Sequence, residues 1–280
     1  MRYTRLGGTD ERVPLIGFGT WRLGGGWWSE DRSHDERAIQ AIMLAVEKGC
    51  WFIDTAEAYG GGHTEELVGS ALRRLAAEGD YEVFVATKVA PEHLHYDDVI
   101  RSCEASLKRL GLKQVDLYQV HWPNERVDIA ETMSAFEKLV EEGKTRYIGV
   151  SNFSARQFEE AQSSLRKYEL VSDQVSYSFF DRKPEAELLP YCRKNSITLI
   201  AYSPLGRGTV NSSSDKRLTK IDELAAKYGK TRAQILLNWL VSKGGVVAIP
   251  KAADPKHIEE NAAASDFDMA EEDYALISRL

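Results

Sequence analysis

Residues 50–62 read CWFIDTAEAYGGG, and residues 63–79 continue HTEELVGSALRRLAAEG. The first stretch opens on an apolar run of strand length, Trp51 to Ile53, which an aspartate, Asp54, brings to an end. A loop of small residues then carries Tyr59. The second stretch repeats its apolar residues along one helix face and closes on a glycine suited to a helix C-terminus. The sequence thus spells strand, loop and helix in order, and the next apolar run follows directly.

Outward from this unit, the same pattern recurs. LIGFGT (15–20), VFVATKV (83–89), VDLYQVH (115–121), RYIGVSN (146–152), SDQVSYS (172–178), TLIAYSP (198–204) and VVAIPK (246–251) bring the apolar runs to eight. Helical patterns separate them at 35–49, 63–79, 96–111 and 129–143, each ending on glycine, then at 154–167, 184–195, one long pattern at 215–244, and 254–265. A final helix is expected over 270–280. Eight strand–helix units are what a (β/α)8 TIM barrel requires, at about 250 residues. An open doubly wound sheet would use the same units but mark its nucleotide site with G-x-G-x-x-G after an early strand, and no strand here is followed by that spacing. The expectation is an α/β chain with one domain, residues 1–280, whose barrel is preceded by a short N-terminal β-hairpin (YTRLGG…RVPLIG).

Composition narrows the function. With 43% hydrophobic and 28% charged residues the chain is of globular type, and its formal net charge of -7 gives no general attraction for nucleic acid or anionic membranes. No segment approaches a membrane span, and the N-terminus lacks a signal-peptide core. Cys50, Cys103 and Cys192 are odd in number and far apart, so they read as buried thiols in a reducing compartment, the cytoplasm.

In a barrel, the C-terminal strand ends and the loops after them build the site. Asp54, Lys88 and His121 close three consecutive strand patterns, and Tyr59 stands on the loop beside them. Each alone has an ordinary reading: a strand-end carboxylate, a surface lysine, a core histidine, a half-buried aromatic. Together they suit one reaction, because a buried lysine and aspartate each provide the partner the other needs. The ammonium is expected to lower the phenol's pKa from about 10, Asp54 to aim Lys88, and Tyr59 to protonate a carbonyl oxygen as hydride reaches carbon. A neutral His121 would orient that carbonyl.

GFGTW (17–21), DTAEAYG (54–60), TK (87–88), QVHWP (119–123), GVSNF (149–153), YSPLG (202–206) and IPK (249–251) resemble, in order and over nearly the whole chain, the aldo-keto reductase superfamily. The resemblance implies that Asp54, Tyr59, Lys88 and His121 form the catalytic tetrad. It implies that Ser151, Asn152 and Gln174 hold the carboxamide of a nicotinamide whose ring stacks on Tyr202, with Ser203, Leu205 and Gly206 at the pyrophosphate. Lys251, His257, Glu260 and Asn261 fall at the adenosine end; Thr20 and Trp21 line the same cleft, Asp54 with them. Trp21, Tyr59, His121 and Trp122 form the expected substrate wall, and no metal is expected. Ser154 is the better helix cap beside Ser151 and Asn152.

The implied activity is reduction of aldehydes or ketones with NADPH, or less well NADH, on small-molecule carbonyl substrates. Three alternatives stand beside it. A zinc hydrolase would need histidines at strand ends, yet His93 and His95 fall in the loop after the third strand. A Schiff-base aldolase would need Lys88 unpaired. A cofactor-binding interaction protein, as potassium-channel β subunits of this superfamily are, would be expected to carry a longer N-terminal segment. Short loops after the fourth and seventh strands, and a chain that stops soon after its last helix, lead to the expectation of an open, broadly selective site. His257 stands where many members have arginine and Ala252 where many have serine, so the NADPH preference is expected to be modest and, if His257 carries it, to grow as pH falls through about 6.5.

Overall fold

The computed structural model describes residues 1–212 and 214–280. Eight parallel strands form one sheet: β3 (Phe18–Gly19), β4 (Phe52–Asp54), β5 (Phe84–Val89), β6 (Val115–Val120), β7 (Thr145–Ser151), β8 (Leu170–Ser176), β9 (Thr198–Tyr202) and β10 (Val246–Ala248). The sheet closes on itself through Ile16, which pairs with Ala248, while Gly17 donates to the Ala248 carbonyl at 2.8 Å. These strands are buried on both faces, which is why they read as continuous apolar runs rather than alternating ones. The chain is a (β/α)8 barrel.

The hairpin, β1 (Tyr3–Arg5) paired antiparallel with β2 (Arg12–Pro14), covers the end of the barrel where the strands begin. Its Leu6 and Val13 pack into the lumen with Phe52, Phe84 and Leu117, and Gly7 donates to Thr198 at the start of β9. The opposite end, where the strands finish, is left for chemistry.

Helices α1 (Asp35–Glu47), α2 (His63–Glu78), α3 (Tyr96–Leu110), α4 (Ile129–Glu141), α5 (Ala155–Ser164) and α6 (Leu188–Lys194) alternate with the strands. The expected long helix of 215–244 is instead two, α7 (Arg217–Tyr228) and α8 (Arg232–Val241). Gly229, at φ 62°, ends the first in the left-handed region, and Thr231 starts the second with a capping box to Gln234. The helix expected from 184 starts only at Leu188, because Lys183–Glu185 winds as a 3₁₀ turn around Pro184. Gly79 departs too: it ends α2 in an extended conformation, whereas Gly49, Gly111 and Gly143 take positive φ. Ser154 caps α5 through a capping box with Gln157, as its sequence position suggested. The helices α9 (Pro255–Ala262) and α10 (Glu271–Arg279) complete the shell, and no helix among the described residues is long and apolar enough to cross a membrane.

The three cysteines are free and buried, and burial pushes each thiol up to about 12. A second buried titratable group is Asp173 on β8. Gln174 points into the lumen, so Asp173 points outward to the helices, where neither carboxyl oxygen finds a hydrogen-bond partner. Burial raises its pKa well above the usual range, which keeps it protonated. Below about pH 4, folded and unfolded chains both carry this proton. Above it the unfolded chain ionises first, so the folded chain loses relative stability as pH rises, by at most about 1.4 kcal/mol per unit, until Asp173 itself ionises. Asp173→Asn removes that loss. In urea unfolding the variant is expected to be more stable than wild type at neutral pH, with the gap closing toward pH 4; a less stable variant at neutral pH contradicts this.

Candidate active site

Parallel register sets the site. Asp54 pairs with Ala86, and Lys88, two residues on, pairs with Gln119, so the side chains of Asp54 and Lys88 enter the lumen one step apart. The Lys88 Nζ donates to Asp54 Oδ2 at 2.8 Å, to the Thr55 carbonyl at 2.8 Å and to the Tyr59 hydroxyl oxygen at 3.3 Å. All three ammonium protons are thereby used, in a group with no solvent exposure. The other carboxylate oxygen of Asp54 accepts from Gln174 Nε2 at 2.7 Å, across the barrel from β8. Thr20 fixes the same strand end by donating its hydroxyl to the Asp54 carbonyl at 2.8 Å.

Tyr59 is held by two loops that pair with each other. The loop after β3 folds back between Gly25 and Glu30, and Trp27 bridges to Tyr59 while Trp28 donates to the Ala58 carbonyl. Gly60 makes this approach possible: its φ is 62°, and an added Cβ would stand 2.2 Å from the Gly24 carbonyl oxygen. The phenol ring meets Trp21 edge-on at 4.7 Å and His121 at 5.4 Å, and Trp27 lies 4.9 Å from His121 on the other side. Trp27 thus joins the expected wall of Trp21, Tyr59, His121 and Trp122 by standing against the imidazole. The only signal was its place in a Gly-rich loop after a barrel strand. Trp122 follows His121 and is exposed.

Electrostatics correct one expectation. Burial, reinforced by the Asp54 carboxylate, raises the Tyr59 phenol well above 10, and the ammonium beside it does not reverse this. Lys88 is itself pushed below its ordinary value by burial, against the pull of Asp54. His121 is driven well below its usual range by burial and by the charge of Lys88, so its ring is neutral.

Next to this cluster, Ser151 Oγ donates to the Gln174 carbonyl at 2.7 Å. Asn152, at φ 64°, donates to the His121 carbonyl at 2.9 Å and accepts from the Tyr202 hydroxyl at 2.9 Å. Ser151, Asn152, Gln174 and Tyr202 are therefore one network joined to the Lys88 cluster through Asp54 and His121. Ser203, Leu205 and Gly206 continue from Tyr202 in a loop with Ser203, Gly206, Arg207 and Gly208 at positive φ. Lys251 and His257 are exposed beyond β10; Asn261 is buried, and Glu260 lies 3.9 Å from Lys256 on α9. His93 and His95 are bonded to different carboxylates, Glu57 and Glu131, and no group of His, Cys, Asp and Glu among the described residues is arranged to hold a metal.

A barrel whose mouth gathers a buried Lys–Asp pair, a phenol and a neutral imidazole defines a class of carbonyl-handling oxidoreductases. The profile of the aldo/keto reductase family matches residues 15–280, and the chain belongs to that family. It is 34% identical over 270 residues to the methylglyoxal reductase YeaE of Escherichia coli, covering 96% of this chain and 92% of that protein. The thermostable aldo-keto reductase Tm1743, solved with the inhibitor epalrestat, superposes with a TM-score of 0.93 at 45% identity, covering 100% of this chain and 99% of the other. An aldo-keto reductase from Klebsiella pneumoniae in complex with NADPH does so at 0.88 and 35%, covering 100% and 95%.

Removing one partner of a buried ion pair leaves an uncompensated charge and costs about 3–5 kcal/mol. Asp54→Leu is expected to lower unfolding stability by that amount at neutral pH. Urea unfolding checks it, and a loss under about 1 kcal/mol would mean Lys88 is not held by Asp54.

Proposed function

We propose that this protein reduces aldehydes and ketones to alcohols with NADPH, with Tyr59 as the general acid. The observation that carries the reading is the three-way grip of the Lys88 ammonium on Asp54, the Thr55 carbonyl and the Tyr59 hydroxyl, with the neutral His121 ring alongside. When bound, the nicotinamide supplies hydride to the carbonyl carbon. Burial keeps Tyr59 protonated through neutral pH, so the phenol has a proton to give to the carbonyl oxygen. Lys88 then stands within hydrogen-bond reach of the phenolate left behind, and Asp54 keeps the ammonium aimed. In the reverse direction the same phenolate accepts the alcohol proton.

His121 orients the substrate. Its Nδ1 is buried without a partner, and an orphaned N–H is costlier than an orphaned lone pair, which favours the tautomer protonated at Nε2. That nitrogen can donate to the carbonyl oxygen.

The residues fit a nicotinamide dinucleotide. Ser151, Asn152 and Gln174 offer amide-type donors and acceptors beside Asp54, and the half-buried Tyr202 ring adjoins them. The loop that continues from Tyr202, with Ser203, Gly206, Arg207 and Gly208 at positive φ, supports a place for the pyrophosphate. Lys251 and the start of α9 suit the phosphate at the adenosine end. Trp21, Trp27 and Trp122 form an open aromatic rim, which supports small or aromatic aldehydes as substrates; methylglyoxal, named for the E. coli relative, is a member of that class.

Tyr59→Phe is expected to lower kcat by at least about a hundredfold with cofactor affinity nearly unchanged, since general acid catalysis contributes about 10² to 10⁴. Cofactor oxidation over a panel of small and aromatic aldehydes measures this. Near-normal kcat removes the acid from Tyr59. In the same assay kcat/KM for NADPH is expected to exceed that for NADH by about ten- to a hundredfold, one charge-assisted contact or slightly more; equal values refute the preference.

A further inference from the structure

We propose that Arg37, carried on the helix after the first barrel strand, supplies the guanidinium grip on the cofactor's 2′-phosphate. The inference rests on the cofactor reading above and assigns its specificity to a residue outside the segments that sequence comparison points to.

The geometry brings three cations to one stretch of chain, residues 250–254. Gly19, at the end of β3, donates its N–H to the Pro250 carbonyl at 3.2 Å, which sets the following turn, with Arg22 at φ 64°, beside Lys251. From another direction, Arg37 in the first turn of α1 donates Nε to the Ala253 carbonyl at 3.2 Å, and α1 packs along α9. That bond uses one of the five guanidinium protons and leaves the two terminal nitrogens free for a further acceptor. Partial burial, and after it the charges of Arg37 and Arg22, depress the Lys251 amine.

Nearby carboxylates do not neutralise them. Asp35 bonds to His63, Glu36 holds Arg74, Glu259 holds Lys48, and Asp254 caps the start of α9 by accepting from the Lys256 N–H. Among the described residues, no ion pair involves Arg22, Arg37 or Lys251. Like charges gathered without counter-ions repel, and the group that relieves them is an anion of high charge with several acceptor oxygens. A phosphate monoester has that chemistry, and a guanidinium matches it with two parallel donors.

The other basic groups of this end are less suited. Lys256 leans to Glu260 at 3.9 Å, and among the described residues no hydrogen bond positions the His257 side chain as the Ala253 carbonyl positions Arg37. The distinction has a consequence in pH. Arginine is charged at every working pH, and the phosphate gains its second charge near pH 6, so a grip by Arg37 gives a cofactor preference that holds or grows between about pH 6 and 8, whereas a grip by a histidine would fade as the ring loses its proton.

The test is the dissociation constant of NADPH and of NADH, from quenching of tryptophan fluorescence, for wild type, Arg37→Gln, Arg37→Lys and His257→Gln at about pH 6 and 8. Wild type is expected to bind NADPH more tightly at both values, in a ratio that does not fall at the higher pH. Arg37→Gln is expected to lose on the order of tenfold or more of its NADPH affinity with NADH unchanged, Arg37→Lys to recover part of it, and His257→Gln to change little. Unchanged NADH binding also shows that the exposed site remains folded. The inference is overturned if Arg37→Gln binds NADPH as wild type does, or if the wild-type ratio collapses at the higher pH and His257→Gln removes it. Equal binding of the two cofactors by wild type contradicts the cofactor reading itself.

Discussion

An ammonium taken wholly out of water must recover its hydration from the protein, and Lys88 does so three times, from a carboxylate, a backbone carbonyl and a phenol. The rest of the mouth is arranged around that requirement. β4 has to end on Asp54 and then turn so that the Thr55 carbonyl and Tyr59 face the same nitrogen. Gln174 must reach across from β8 to hold the second carboxylate oxygen, and Thr20 must fix the strand end from β3. A barrel meets this demand readily, because parallel strand ends bring residues far apart in sequence into one ring.

The same constraint gives the site its chemistry. A phenol in water is solvated in both protonation states, but here burial and the adjacent carboxylate disfavour the anion, so Tyr59 holds its proton. In the proposed reduction the ammonium would contribute less to the resting pKa than to the product of proton transfer, since a cation already stands beside the charge that would form. His121 is kept neutral by the same burial and the same cation, and can donate a hydrogen bond without competing for the proton.

Much of this was legible in the sequence because it is periodic or local. The eight apolar runs spelled out the barrel, and the acid, lysine and histidine stood where strands end, with the phenol on the loop beside them. The error about Tyr59 arose because spacing reveals which charges are neighbours but not how thoroughly a site is desolvated. The long helix pattern of 215–244 broke at Gly229 since periodicity continues across a residue that the backbone uses to turn. Trp27 and Arg37 were harder to read. Trp27 is placed by the pairing of two loops, marked in sequence only by the glycines around it, and Arg37 meets the Ala253 carbonyl through the packing of α1 on α9, which leaves no mark in its own stretch.

The protonation of Tyr59 tests the account most directly. With tyrosine labelled at the ring carbon bearing the hydroxyl, the NMR resonance that disappears in Tyr59→Phe can be followed from neutral pH upward. Burial of the whole cluster predicts that this resonance stays at its phenol position beyond the ordinary tyrosine value of about 10. A phenolate signal emerging near pH 7 or 8 would contradict the account, because it would mean that Lys88 and not desolvation sets the acid.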